Sequence, residues 1–149
     1  MTQLFVKNVF LASALVLLSN TATAQQSAME KVREAKTQTH ALSPAQVSAA
    51  IADTNVVLID VRDAEELSKG KIKGSVHASR GMLEFYADST VSYYKPVFKK
   101  DKTIILYCTS SGRSALAAKT LQEMGYKNVY QMEGGLNAWE KAGLPIEKP

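Results

Sequence analysis

Residues 103–124 read TIILYCTSSGRSALAAKTLQEM and place a predicted strand directly before a predicted helix. TIILY is apolar and β-branched, whereas the stretch from Ser114 to Met124 is rich in Ala and Leu and is followed by Gly125, a usual helix end. A small polar loop joins them. It begins with Cys108, the only cysteine of the chain, and ends with Arg113. This order predicts one strand–loop–helix unit of an α/β fold.

The same alternation continues on both sides of this unit. Ser43 and Pro44 are typical of a helix start, and short apolar, β-branched runs are typical of strands buried on both faces. The predicted strands are 55–61, 72–79, 103–107 and 128–132, and the predicted helices or helical turns are 43–51, 62–70, 81–88, 114–124 and 136–143, with a loop at 89–102. The pattern predicts a mainly parallel sheet of about five short strands with helices on both faces.

The first 24 residues have the composition of a cleaved secretory signal. Lys7 supplies a positive charge, residues 9–18 are apolar or small, and Ala22-Thr23-Ala24 has the A-x-A form of a signal-peptidase site. The apolar run is too short for a membrane anchor, since a spanning helix needs about 20 apolar residues. We therefore expect cleavage after Ala24, a periplasmic or secreted protein, and no membrane association after cleavage.

After the signal, residues 25–41 are polar, and we expect a mobile leader or a loosely docked helix ahead of a domain at 42–149. The chain of 149 residues is long enough for one domain, and its formal charge of +4 includes no lysine block. No interleaving of aromatic and basic residues suggests a nucleic-acid groove, so the sequence does not favour a nucleic-acid partner. His40 and His77 stand alone, without the spacing of metal ligands.

The chemistry of the chain centres on Cys108. A thiol becomes a strong nucleophile only when it ionises. Small residues allow successive backbone N–H groups to face one centre, and the following helix directs its positive end to the same point. The predicted anion cradle comprises Cys108, Thr109, Ser110, Ser111, Gly112 and Arg113, with Ser114 as the cap of the helix. The alternative is a buried structural cysteine, and an exported chain with one cysteine forms no internal disulfide.

Three stretches resemble the signatures of rhodanese-type sulfurtransferases. They are CTSSGRS after the TIILY strand, LIDVRDAEELSKGKIKGSVHASRG before it, and MEGGLNAWEKAGLP near the end of the chain. The matches occur in the family's order and extend from Ser43 to Pro145. The resemblance implies a rhodanese-like α/β domain.

The resemblance also implies a two-step sulfur transfer without metal or cofactor. Cys108 would take the outer sulfur of a small anionic donor such as thiosulfate and hold it as a persulfide. It would then pass that sulfur to cyanide or a thiol, and a protein donor or acceptor is compatible with the same chemistry.

The chain departs from the family pattern at three positions. Lys71 replaces the usual histidine of the first signature, Ser111 replaces a frequent glycine, and Thr109 follows the cysteine where thiosulfate-preferring members often have a basic residue. The last two departures leave a preference for thiosulfate open. Arg113 is then the best candidate for binding the donor anion.

Other polar residues at strand ends have two readings. Asp60 and Arg62 either support the active-site mouth or form a buried ion pair, with Glu66 as a third partner, and we favour the ion pair. Arg80 either reaches the pocket rim or is solvated. Trp139, with Leu136 and Leu144, is expected in the core, and Gly134-Gly135 in a tight turn.

Two rival functions remain open from the sequence. One is a persulfide carrier that delivers sulfur to a protein partner without turnover of small donors. The other is a cysteine-dependent phosphatase or arsenate reductase. Phosphatase loops place five residues between cysteine and arginine, whereas four separate Cys108 from Arg113 here, and this loop has no acidic residue. The shorter loop disfavours phosphate chemistry.

Overall fold

A computed structural model describes residues 25–149, so the predicted signal segment lies outside the described residues. The strands are β1 (His40–Leu42), β2 (Val56–Asp60), β3 (Val76–His77), β4 (Thr103–Tyr107) and β5 (Val129–Met132). The α-helices are α1 (Ala28–Gln38), α2 (Pro44–Ala50), α3 (Leu83–Ala87), α4 (Gly112–Glu123) and α5 (Gly135–Lys141). Two 3-10 helices cover Ala64–Lys69 and Arg80–Met82. None of the helices described in residues 25–149 is long and apolar enough to cross a membrane.

The five strands form one parallel sheet in the order β1-β5-β4-β2-β3. Strand β4 lies in the centre, and its five residues pair with all five residues of β2, from Val56 opposite Thr103 to Asp60 opposite Tyr107. This arrangement confirms the predicted parallel α/β fold. It also places Cys108 directly after the central strand, at the edge of the sheet where parallel α/β folds place ligands.

Both faces of the sheet are covered, which explains why TIILY is a continuous apolar run. Ile104 and Leu106 belong to a buried cluster with residues of α3 and α4, whereas Ile105 and Tyr107 belong to a second cluster with residues of α2 and α5. Each of these four side chains is fully buried. Burial of one large apolar side chain contributes about 1.5–3 kcal/mol, so the central strand is a major source of stability.

Residues 25–41 contain more structure than a mobile leader. Ser27 and Glu30 form a reciprocal capping box at the start of α1, and Ala35 of this helix is buried. Helix α1 packs on α4, where Val32 lies against Gly112. Of the two alternatives for this segment, the structure has the helix. Strand β1 follows it and supplies the fifth strand, which the sequence did not locate because three residues carry too little periodicity.

Helix α4 begins two residues earlier than predicted. Its N-cap is Ser111, and the Ser114 hydroxyl donates back to the Ser111 carbonyl over 3.1 Å. The prediction that Ser114 caps the helix is therefore wrong. The physical reason is that Ser111 adopts a left-handed conformation with φ of 73°, which lets the helix begin at Gly112.

Candidate active site

The loop after β4 is fixed by the first turn of α5. The N–H of Leu136 donates to the Cys108 carbonyl over 2.8 Å, and the N–H of Asn137 donates to the Thr109 carbonyl over 3.1 Å. The beginning of α5 therefore sets the position of the cysteine, although the two residues of each bond lie 28 positions apart in the chain.

Gly135 is the residue that permits this close contact. Its φ is 59°, and a Cβ at this position would lie 2.7 Å from the Ser110 backbone nitrogen and would also overlap the Cys108 carbonyl. Since both neighbours are backbone atoms, they could not move without displacing the loop. The predicted tight turn at Gly134-Gly135 is therefore also a contact surface for the cysteine loop.

The interior of the loop leaves backbone donors free. In the part of the chain that the structure describes, the N–H groups of residues 109–114 donate to no protein acceptor, and the first backbone bond of α4 runs from Ala115 to Ser111. Unpaired N–H groups at a helix start form an anion-binding site. The predicted cradle thus has the donors that an anionic sulfur or a bound oxyanion needs.

Cys108 itself is buried, with 1% of its surface exposed, and it belongs to the apolar cluster on the α4 face. Its thiol donates a hydrogen bond to the Ser114 hydroxyl, with 3.7 Å between Sγ and Oγ. The burial agrees with the alternative of a structural cysteine, whereas the free backbone donors around it favour an anion site.

Arg113 is held by carboxylates. Its Nη1 donates to Glu66 Oε2 over 2.5 Å and to Asp63 Oδ2 over 3.2 Å, and its Nη2 donates to Glu66 Oε1 over 2.9 Å. The Thr109 hydroxyl donates to the same Glu66 carboxylate over 2.8 Å. Two residues of the cradle therefore bind one carboxylate from the 3-10 helix that follows β2.

This bidentate pair shifts the titration of both partners. The hydrogen bonds from Arg113 lower the pKa of Glu66 to about 2, with a further contribution from Thr109. The pKa of Arg113 is raised, chiefly by the hydrogen bonds to Glu66 and also by the charge of Cys108. The Glu66 carboxylate is therefore the chief electrostatic partner of Arg113.

Asp60 and Arg62 form the buried ion pair that we favoured. Arg62 Nη2 lies 2.6 Å from Asp60 Oδ2, and the guanidinium also donates to the Gly70 carbonyl over 2.8 Å. Both side chains are almost fully buried. The expected third partner differs: Arg62 contacts the backbone carbonyl of Glu66 at 3.3 Å, while the Glu66 carboxylate binds Arg113.

Arg80 is placed by contacts outside the loop. Its guanidinium binds Glu84 at 3.0 Å and the hydroxyl of Thr120 at 3.0 Å, so it ties the start of α3 to α4. His77 Nε2 lies 2.8 Å from the Arg62 carbonyl. Within residues 25–149, no group of three or more His, Cys, Asp or Glu side chains could hold a metal ion.

Sequence reasoning did not assign Glu66 or Asp63 to the loop, and it gave Gly135 no contact with Cys108. Glu66 occupies a regular position of the first signature, and this position is the one feature of the sequence that indicates a role for Glu66 near the loop. Its partner could not be read from the pattern, because Arg113 lies 47 residues away.

The Rhodanese-like domain family matches residues 43–142. Thiosulfate sulfurtransferase GlpE of Actinobacillus succinogenes is 32% identical over 106 residues, which cover 71% of this chain and 88% of that protein. The polysulfide-sulfur transferase homodimer of Wolinella succinogenes is 35% identical with a TM-score of 0.66, and the match covers 80% of this chain and 85% of that one.

A Rhodopseudomonas palustris protein of unknown function, described as a possible tyrosine phosphatase, is 43% identical with a TM-score of 0.78. That match covers 84% of this chain and 97% of the other. The names of the first two relatives support sulfurtransferase activity.

Proposed function

The chain belongs to the rhodanese-like domain family, and on that premise we propose that it is a sulfurtransferase that carries sulfur as a persulfide on Cys108. The observation that carries the proposal is the position of the chain's sole thiol. Cys108 directly follows the central strand, and the backbone N–H groups of residues 109–114 that come after it are unpaired within the described residues. These donors would stabilise negative charge on sulfur before and after transfer.

The reaction has two balanced steps. The Cys108 thiolate attacks the outer sulfur of thiosulfate, the sulfur–sulfur bond of the donor breaks, and sulfite leaves with the bonding pair. Cys108 is then a persulfide anion. In the second step cyanide or a thiolate attacks the outer sulfur, and the Cys108 thiolate returns with thiocyanate or a new persulfide as product. The nucleophile needs no separate base once it is ionised.

Intact mass spectrometry tests this proposal directly. Protein incubated with a sulfane donor should gain the mass of one sulfur atom, and cyanide should remove it. Cys108→Ser should gain nothing while keeping the thermal unfolding midpoint of the wild type within about 2 °C, because Ser is close to Cys in size. Sulfur transfer by a folded Cys108→Ser protein would overturn the assignment and would favour the structural cysteine.

A persulfide carrier is the second candidate, because the same loop serves a carrier and an enzyme. Steady formation of thiocyanate from thiosulfate and cyanide would favour the enzyme. A single sulfur gain on Cys108 from a protein donor, without turnover of small donors, would favour the carrier.

Phosphatase activity is a third candidate, raised by the description of the Rhodopseudomonas palustris protein. Only four residues separate Cys108 from Arg113, and the arginine is bound to Glu66. We expect no hydrolysis of p-nitrophenyl phosphate under conditions that load Cys108 with sulfur. Hydrolysis of this substrate that depends on Cys108 would favour phosphatase activity over sulfur transfer.

We also propose export with cleavage after Ala24, on the sequence features of residues 1–24. Expression of the full chain should yield a mature protein that begins at Gln25, in the periplasm or the medium. Its N-terminal residue and its distribution between cell fractions test this. A cell-associated protein that retains residues 1–24 would contradict it.

A further inference from the structure

The fork of Arg113, which the sequence suggests as the binder of the donor anion, already holds an anion from the protein itself. Both Nη atoms of Arg113 bind the Glu66 carboxylate, and Thr109 binds the same group. Asp63 adds a second carboxylate at 3.2 Å from Nη1. The two acids and one base leave this side of the loop with a net negative charge.

The pair is not a freely solvated surface contact. The side chains of Glu66 and Arg113 are 27% and 33% exposed, and the bidentate geometry restricts both. Glu66 keeps its charge throughout the pH range in which sulfur transfer is measured, because hydrogen bonds from Arg113 hold its pKa at about 2. A donor anion therefore meets an arginine whose charge is offset by Glu66, with the carboxylate of Asp63 beside the pair.

We propose that Glu66 biases the choice of sulfur donor, by disfavouring doubly charged anions relative to donors with at most one negative charge near the transferable sulfur. Persulfides and thiosulfonates belong to the favoured class, and thiosulfate belongs to the disfavoured one. This inference rests on the proposed sulfur transfer at Cys108. Glu66 acts here as a specificity-determining residue that touches the loop and not the reacting sulfur.

The physical reason is the charge of the donor. At an effective dielectric constant of about 40, a carboxylate about 6 Å from a bound anion weakens the binding of that anion by about tenfold for each negative charge that the anion carries. A dianion is repelled twice as strongly as a monoanion. Glu66 therefore weakens the binding of thiosulfate by about tenfold more than it weakens the binding of a singly charged donor of the same shape.

Thiosulfate and methanethiosulfonate form a matched pair of probes. In both, the Cys108 thiolate attacks the terminal sulfur and its bond to the sulfonyl sulfur breaks. Sulfite leaves from the first donor and methanesulfinate from the second, each with the bonding pair. The donors differ by one charge, and in a two-step transfer the kcat/KM for the donor reports the donor step alone. Cyanide serves as acceptor for both.

The measurement is the ratio of kcat/KM for thiosulfate to that for methanethiosulfonate. In Glu66→Gln, which keeps the shape of the side chain, we expect the ratio to rise about tenfold over the wild type. In Asp63→Asn the rise should be about twofold, because Asp63 is more exposed and more screened. Glu65→Gln is the matched control, since Glu65 neighbours Glu66 but is exposed; its ratio should stay that of the wild type.

A purely structural Glu66 would change both donors equally, so a ratio in Glu66→Gln that falls or stays within about twofold of the wild type overturns the inference. If Glu66→Gln does not fold, Asp63→Asn carries the test, and an unchanged or lower ratio there overturns it. If methanethiosulfonate loads Cys108 with sulfur but the ratio of kcat/KM values does not change in Glu66→Gln, the inference about Glu66 is wrong and the proposed sulfur transfer stands. Loading of Cys108 by neither donor removes the proposed function and this inference together.

Discussion

Replacement of Ser111 by glycine should stabilise the protein. Within the described residues, Ser111 is the only non-glycine residue with positive φ, at 73°, and it is fully buried. A left-handed conformation costs a residue with a side chain about 1–2 kcal/mol relative to glycine. The Ser111 Oγ is buried and bonds to no group of the described chain, which adds about 1–3 kcal/mol.

Two opposing effects reduce this gain. Glycine has more conformational freedom in the unfolded chain, which costs about 0.5–1 kcal/mol. Loss of the buried Cβ costs about 0.8 kcal/mol. These ranges leave a net gain for Ser111→Gly between about 0.2 and 3.7 kcal/mol, and we expect about 2 kcal/mol, the middle of that range. For a domain of this size such a gain raises the unfolding midpoint by about 3–8 °C.

Thermal and urea unfolding, followed by circular dichroism, measure this difference. Ser110→Gly is the matched control, because Ser110 is exposed and lacks positive φ, so glycine there should destabilise slightly. Ser111→Ala separates the causes, since it removes the hydroxyl and keeps the backbone strain. A Ser111→Gly midpoint at or below the wild type would refute the strain argument, and an Ala variant as stable as the Gly variant would assign the gain to the hydroxyl.

The remaining predictions concern the supports of the loop. Gly135→Ala should cost about 3 kcal/mol or more and abolish sulfur transfer, because its Cβ overlaps the backbone of the cysteine loop. Gly143→Ala, at a similar φ of 71° but with no atom near the new Cβ, should cost only about 1 kcal/mol, and equal losses would contradict the contact. Asp60→Asn should cost about 3–5 kcal/mol in urea unfolding, since it leaves the buried charge of Arg62 uncompensated; a loss below about 1 kcal/mol would argue against the buried pair. Glu66 has a folded-state pKa of about 2 against an ordinary value of 4.5, so it contributes stability above pH 4.5 that is lost as the pH falls toward 2. The difference in unfolding free energy between wild type and Glu66→Gln should therefore shrink by about 1–2 kcal/mol over that range, and a constant difference would show that the pair does not titrate with folding.

Much of the fold could be predicted because it depends on short-range patterns. The β-branched runs at 56–60 and 103–107 are strands, and Ser43 and Pro44 begin a helix with a complete capping box. Strands that alternate with helices can pair in parallel only through crossovers, so the sheet and the place of Cys108 at a strand end followed from the order of elements. The strand at residues 40–42 was not predicted, because three residues are too few to show a periodic pattern and its pairing with β5 is visible only in the folded sheet.

Short-range patterns in the chain therefore suffice to predict the parallel α/β architecture, the position of Cys108 in a strand–loop–helix unit, and a loop of small residues after it. Two long-range contacts are visible only in the folded molecule: Arg113 binds Glu66, and Gly135 lies against the cysteine loop. The physical reason is range. Backbone periodicity and capping act over a few residues, whereas the partner of a guanidinium is chosen by which carboxylate the folded sheet brings within 3 Å, here from 47 residues away.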